Sequence, residues 1–210
     1  MAKTEPFNNH IFEYEQWFED NKYVYRSEIQ AIERVIPENG RGIEIGIGSG
    51  LFAKPLGITE GCDPSEKMRK RATEKGLSVI DGIAEKLPYM SQSVDFVLMV
   101  TTICFVDDVD KTFEEIKRVL RPNGKAIVAF VDKDSEVGQQ YSKHKEKSVF
   151  YKDAVFYSTT EVLGILEKHN FVVEKTLQTI FGDMADINGT QHPEKGYGKG
   201  SFVVIRATKQ

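Results

Sequence analysis

Gly42-Ile43-Glu44-Ile45-Gly46-Ile47-Gly48-Ser49-Gly50 decides how this chain is read. An apolar run passes into a glycine-rich loop, and a short helical pattern over 51–56 follows. That is the strand–turn–helix junction at which ligands enter α/β sheets. Glycines there allow a sharp turn and let backbone N–H groups approach a ligand without an intervening Cβ. Spacing separates the ligand classes. A dinucleotide fingerprint begun at Gly46 needs Gly or Ala at 51, where Leu51 stands, and a phosphate loop begun at Gly48 needs Gly at 53 and Ser or Thr at 55, where Ala53 and Pro55 stand. The only charge from Gly42 to Leu51 is Glu44, which repels a pyrophosphate and favours a cationic ligand directly or through water.

Working outward, apolar runs alternate with helical ones. Strands are predicted over 42–47, 58–63, 77–81, within 94–104 and over 125–131, with helices over 65–75 and 109–120, the latter stopped by Pro122-Asn123-Gly124. This alternation predicts βαβ units around a parallel sheet. A helix over 159–169, with Thr159 or Thr160 near its N-cap, precedes two final strands over 172–180 and 201–208 joined by a long glycine-containing loop. Upstream, Ile11, Phe12, Tyr14, Trp17 and Phe18, then Ile29, Ile32, Val35 and Ile36, follow helical spacing and stop at Pro37-Glu38-Asn39-Gly40. The expected organisation is a helical preface over 1–40 and one domain over 41–210. Within it the charged, Tyr- and Phe-rich stretch 132–157 breaks the rhythm and reads as a lid-like insertion.

Composition narrows the function. The 210 residues are 40% hydrophobic and 29% charged, enough for one sizeable core. Lys and Arg number 28 against 32 Asp and Glu, so no electrostatic footprint for nucleic acid is expected. Cys62 and Cys104 sit in hydrophobic stretches without metal-ligand spacing, which argues against a disulfide framework or zinc and for a reducing cytoplasm. The opening MAKTEPFNNH lacks an apolar leader core, and the longest uncharged stretch, 96–106, falls short of the ~18 residues a membrane span needs.

The pattern Glu44-x-Gly46-x-Gly48-x-Gly50 resembles the first motif of class I S-adenosylmethionine-dependent methyltransferases, whose cofactor carries an ammonium and a sulfonium. Asp63, in Gly61-Cys62-Asp63-Pro64-Ser65, falls where that family's acidic residue accepts bonds from both ribose hydroxyls. Gly82-Ile83-Ala84-Glu85-Lys86-Leu87-Pro88, followed by Ser93-Val94-Asp95-Phe96-Val97, is similar to the adenine-side loop and fourth strand. Ile83 stands where many members carry Asp, leaving backbone groups around Ala84 or the Glu85 carboxylate for the adenine. Leu120-Arg121-Pro122-Asn123-Gly124-Lys125 resembles the turn before the fifth strand, with Asn123 replacing a glycine, an exchange that left-handed turns tolerate. The whole looks like the small-molecule type 11 branch. The resemblance implies a Rossmann-like α/β fold: a seven-stranded, mostly parallel sheet with its last strand antiparallel and helices on both faces. It implies S-adenosylmethionine as cofactor, released as S-adenosylhomocysteine. The implied cofactor residues are Glu44, Gly46, Ile47, Gly48, Gly50, Asp63, Pro64, Ala84, Glu85 and Thr101.

Methyl transfer from a sulfonium is an in-line displacement that needs alignment, exclusion of water and an unprotonated acceptor, so no fixed triad is required. The Asn/Asp-Pro-Pro-Tyr and Pro-Cys signatures of nucleobase methylation are absent. Tyr14, Trp17, Phe18, Tyr23 and Tyr25 before the sheet, Thr102, and Tyr141, Phe150, Tyr151, Phe156 and Tyr157 in the insertion are candidates for the acceptor pocket, where aromatic faces attract a cationic amine. The expected acceptor is a small molecule, an amine, phenol or carboxylate, with neither nucleic acid nor membrane as partner. His144 in the insertion is the candidate base, while His169 falls beside a helix C-terminus and suits its dipole. Asp107, Asp108, Asp132 and Asp134 follow strand ends, but their spacing specifies no converging Mg²⁺ ligands, and no metal is expected. Lys67, Arg69, Lys70 and Arg71 read as a solvated helix face. Two alternatives stay open: a regulatory module that binds S-adenosylmethionine without turnover, and a nicotinamide oxidoreductase.

Overall fold

The computed structural model describes residues 3–210. Six strands run parallel: β1 (Gly42–Ile45), β2 (Glu60–Cys62), β3 (Ser78–Ile80), β4 (Val94–Val100), β5 (Leu120–Val131) and β6 (Phe171–Thr179). β7 (Glu194–Lys195) and β8 (Phe202–Lys209) run the other way, and the sheet order is β3-β2-β1-β4-β5-β8-β6-β7. The chain therefore leaves β1 in one direction and returns to β4 on its other side. The crevice beyond the C-terminal ends of these two strands is the switch point at which such sheets bind ligands.

Seven of the eight strands answer to the expected ones. The eighth, β7, is two exposed residues paired with Leu177 and Gln178, too short and too polar to show in a hydrophobic pattern. β5 begins five residues earlier than expected because Leu120 already pairs with Val94. A register shift follows, with Asn123 at φ 63° in the left-handed turn.

The central strands β1 and β4 and the second half of β5 are buried on both faces, as helices on each side of a sheet require, while β3 at the sheet edge is largely exposed. Val97 and Met99 face α5 (Val109–Val119) and α7 (Thr159–Lys168), represented by Phe113, Ile116, Val162 and Leu166. Phe96, Leu98 and Val100 face the opposite layer, which includes Val24 and Ile32 of α3 (Lys22–Glu33) and Ala72 of α4 (Glu66–Glu74). Helix starts follow capping chemistry: Ser65 accepts from the Met68 N–H, Asp108 from Lys111, and Ser158 from Glu161, whose own carboxylate accepts from the Ser158 N–H. Ser158, not Thr159 or Thr160, is thus the cap of α7, and the buried Thr159 hydroxyl donates to Asp132 Oδ2 at 2.6 Å. The helix expected over 51–56 is a series of turns instead. Pro55 supplies no donor there, and Gly57 at φ 72° ends the segment within a few residues.

The preface forms α1 (Glu5–Asn9), α2 (Ile11–Asp20) and α3. Glu15 of α2 reaches across to α4, accepting from Arg71 Nη2 at 2.8 Å and Lys75 Nζ at 2.6 Å. Burial alone would raise the Glu15 carboxyl; the bonds from Arg71, Lys75 and Ser49 outweigh it and bring it down to about 2. Lys67 and Lys70 are exposed as expected, but Arg69 is not merely solvated: its Nη1 donates to the Asp63 and Pro64 carbonyls and to Asp81. Within 132–157 the chain forms α6 (Glu136–His144) and a 3-10 turn, Lys145–Lys147. No helix of the described residues is long and apolar enough to cross a membrane.

Candidate active site

The glycine loop leaves β1 with Gly46 at φ 68° and Gly48 at φ 54°. The two are kept small for different reasons. A Cβ on Gly46 would lie 2.4 Å from Thr102 Oγ1, whereas one on Gly48 would meet only the Tyr14 hydroxyl at 3.4 Å and otherwise project into a cavity of about 260 Å³. Gly48 is therefore the point at which a ligand can lie against the backbone.

Asp63 closes the loop from below. It directly follows β2, is 8% exposed, and accepts from the Gly48 N–H through Oδ2 at 2.9 Å and from the Ser65 N–H through Oδ1 at 2.8 Å. Burial raises its carboxyl, and the Ser65 and Gly48 N–H groups oppose that rise. A carboxylate offers about four lone-pair sites, so two remain for a ligand. Across the crevice, Thr101 directly follows β4 at φ 46°, a strained conformation for a β-branched residue, with its N–H fixed on the Ala129 carbonyl at 2.8 Å.

The structure brings Gly46, Gly48, Asp63, Pro64, Glu85 and Thr101 to one cavity, together with Tyr14, Trp17, Phe18, Thr102 and Tyr141. Four residues assigned by resemblance do not border it. Ile47 is buried in the core, and Gly50 packs where a Cβ would lie 2.2 Å from Leu77. Ala84 is buried in the opposite layer. Glu44, 1% exposed, leaves Oε2 without a partner, and burial pushes its carboxyl well above the usual range against a bond from the Ala53 N–H. It makes no direct contact with the cavity. Glu85 borders the cavity, but its Oε1 is occupied by the Asp107 and Asp108 N–H groups at 2.6 and 3.2 Å. Ile83, 39% exposed, adds an apolar wall where the related pattern carries an acid.

His144 does not belong to this assembly. It is exposed on the last turn of α6, outside the cavity wall, with Nδ1 3.0 Å from the Gln140 carbonyl oxygen. A base on the terminal turn of a surface helix complements the helix dipole rather than a buried reaction. Among the described residues, no three His, Cys, Asp or Glu side chains converge as a metal site.

Of the aromatic candidates, Phe150 and Tyr151 join Tyr141 in the wall, while Tyr23, Tyr25, Phe156 and Tyr157 do not border the cavity; Glu28 is a wall residue that escaped the sequence reading. The rings form a continuous surface. Tyr141 stacks on Tyr151 at 5.0 Å, Tyr151 on Phe105 at 5.9 Å, and Phe150 meets Phe7 and Tyr14 at 5.5 and 6.1 Å. Glu28 lies one turn from both Val24 and Ile32 on the buried face of α3. A charge interrupting an apolar helical stripe is the signal that could have found it.

This geometry fits S-adenosylmethionine: an open backbone at Gly48, spare acceptor capacity on Asp63 and an apolar wall at Ile83. The family described as Methyltransferase domain matches residues 43–128. An uncharacterized protein of Methanocaldococcus jannaschii is 43% identical over 203 residues, covering 97% of this chain and 98% of its own. A crystal structure from Thermotoga maritima, described as an S-adenosylmethionine-dependent methyltransferase and possible histamine N-methyltransferase, is 45% identical with a TM-score of 0.96, covering 99% and 100% of the two chains. A methyltransferase bound to the Haloferax volcanii Trm112 activator shares the fold, with a TM-score of 0.75 at 19% identity over 99% of this chain and 98% of its own. Fold and site thus define an S-adenosylmethionine-dependent enzyme, and the nicotinamide alternative falls away. The chain belongs to the class I methyltransferases, in the type 11 branch.

Proposed function

We propose that this enzyme methylates a small-molecule acceptor, an amine, phenol or carboxylate, enclosed beneath the preface helices. The observation that supports this reading is the continuity of the cavity. One end is the open backbone at Gly48 beside Asp63, and the other is walled by Tyr14, Trp17, Tyr141 and Tyr151. When bound, S-adenosylmethionine supplies a methyl group made electrophilic by its sulfonium. In this reading Gly48, Asp63, Pro64 and Thr101 hold the donor, and Glu85 and the backbone around Ala84 flank the adenine. The aromatic walls exclude water and align the acceptor, which is where most of the rate arises. The stretch 132–157 serves as the lid, and a domain over 41–210 carries the donor site. Two free, buried cysteines suit a reducing cytoplasm.

The experiment is a cofactor-consumption screen over pooled small metabolites, repeated with DNA, RNA and protein. The Thermotoga protein's description places amines such as histamine first in the pool. Turnover of a small molecule is expected; methylation of a macromolecule alone would overturn the reading.

A further inference from the structure

We propose that Glu28 selects and anchors the acceptor, and that this acceptor is an amine entering as its ammonium ion; the proposal rests on the methyl-transfer reading above. Glu28 is 6% exposed, borders the cavity, and has no hydrogen-bond or ion-pair partner among the described residues. Carboxylates this buried are ordinarily paired, because an unpaired buried charge is destabilising. Here the partner position opens into the chamber.

Its surroundings favour a cation over the other acceptor classes. The ionisable wall comprises the carboxyl groups of Glu13, Glu28, Asp63, Glu85 and Asp107 against Lys3, which lies 4.0 Å from Asp107. At the donor end, Asp63 and Glu85 already accept backbone N–H bonds, which leaves Glu28 as the unengaged acid at the aromatic end. A carboxylate acceptor would be repelled there, and a phenol would gain no ion pair. An ammonium would pair with Glu28 in a chamber that Tyr14, Trp17, Tyr141 and Tyr151 also line.

The same contact prepares the nucleophile. An ammonium has no lone pair, so it first gives one proton to the Glu28 carboxylate. The freed nitrogen lone pair then forms the N–C bond as the methyl–sulfur bond breaks, its electron pair staying on sulfur as the thioether. The product leaves as the methylated ammonium ion. Burial raises the unliganded Glu28 carboxyl to about 8, near enough to an amine for that exchange; Glu28 gives its proton to solvent as the ammonium enters to pair with it, and again after the product leaves.

Calorimetry of the full chain saturated with S-adenosylhomocysteine tests the anchor apart from turnover. The probes are phenethylamine, 2-phenylethanol and phenylacetate, which share a shape and differ in charge. The amine is expected to bind at least tenfold more tightly than the acid. Glu28→Gln should abolish that preference with S-adenosylhomocysteine affinity within threefold of wild type, and Glu28→Asp should restore the order. No amine preference in the wild type, or a preference that persists in Glu28→Gln, overturns the proposal. If amines bind as expected but no small acceptor consumes cofactor in the screen, the methyl-transfer reading fails while the anchor stands.

Discussion

The Gly48 N–H donates to Asp63 Oδ2 at 2.9 Å, so the loop after β1 and the end of β2 form one hydrogen-bonded unit. Asp63 consequently serves two ends: it sets the shape of the loop and offers its remaining lone pairs to the crevice.

Substitutions at Asp63 should separate those ends. Asp63→Ala is expected to lower stability by about 1–3 kcal/mol through two orphaned backbone N–H groups, and to weaken S-adenosylmethionine binding about ten- to hundredfold. Asp63→Asn keeps an acceptor and should lose less stability than affinity. Chemical denaturation and calorimetry on both variants check this; an affinity change under threefold in folded Asp63→Ala removes Asp63 from the cofactor site.

Glycine substitutions should divide likewise. Gly46→Ala collides with Thr102 and is expected to destabilise by about 1–3 kcal/mol, relieved in part by adding Thr102→Ala. Gly48→Ala carries the cost of a positive φ, about 1–2 kcal/mol, yet stays folded and loses S-adenosylmethionine affinity. Thermal melts with and without cofactor distinguish the two. Normal binding by folded Gly48→Ala would show that the loop is only a turn.

Glu28 should make stability fall as pH rises. Its carboxyl is raised by burial from 4.5 to about 8, so the folded state holds the proton more tightly than the unfolded chain. The contribution is fully present below about pH 4.5 and is lost as pH climbs through 8. The groups that share its electrostatic environment, Tyr14, Tyr25, Tyr141 and Tyr151, are all shifted upward by burial and stay neutral in that window. Melting temperatures of wild type and Glu28→Gln should therefore coincide near pH 4.5 and diverge toward pH 8, with the variant more stable. A difference that does not vary with pH contradicts an unpaired buried acid.

Glu15 carries the opposite sign. Its carboxyl is lowered to about 2, so the pairing with Arg71 and Lys75 stabilises the fold above about pH 4.5 and is lost as pH falls toward 2. Solvent screening holds each such pair to about 1 kcal/mol or less. Glu15→Gln is expected to speed amide exchange in α2 at neutral pH while leaving β4 and β5 protected, with added salt shifting the wild type the same way.

Most of the sheet was legible because its signals are local. β4 reads as an apolar run interrupted only by Asp95, and the turn before β5 announces itself through Pro122, Asn123 and Gly124. The loop and Asp63 were legible too, since a glycine series and an acid at a strand end sit close in sequence. β7 was not, because two exposed polar residues join the sheet only through partners Leu177 and Gln178. His144 misled because titration range says nothing about where a helix face points. Glu28 went unread because an acid on an amphipathic helix is ordinarily assigned to water, although its spacing from Val24 and Ile32 places it on the buried stripe.

The family match ends at residue 128 and begins at 43, yet Tyr14, Trp17, Glu28, Tyr141, Phe150 and Tyr151, the far walls of the cavity, all lie outside that span. The two halves of the site therefore occupy separate stretches of the polypeptide. Substitutions in the far walls leave every residue of the donor loop in place, and a chimaera that exchanges both flanks together tests whether the choice of acceptor travels with them.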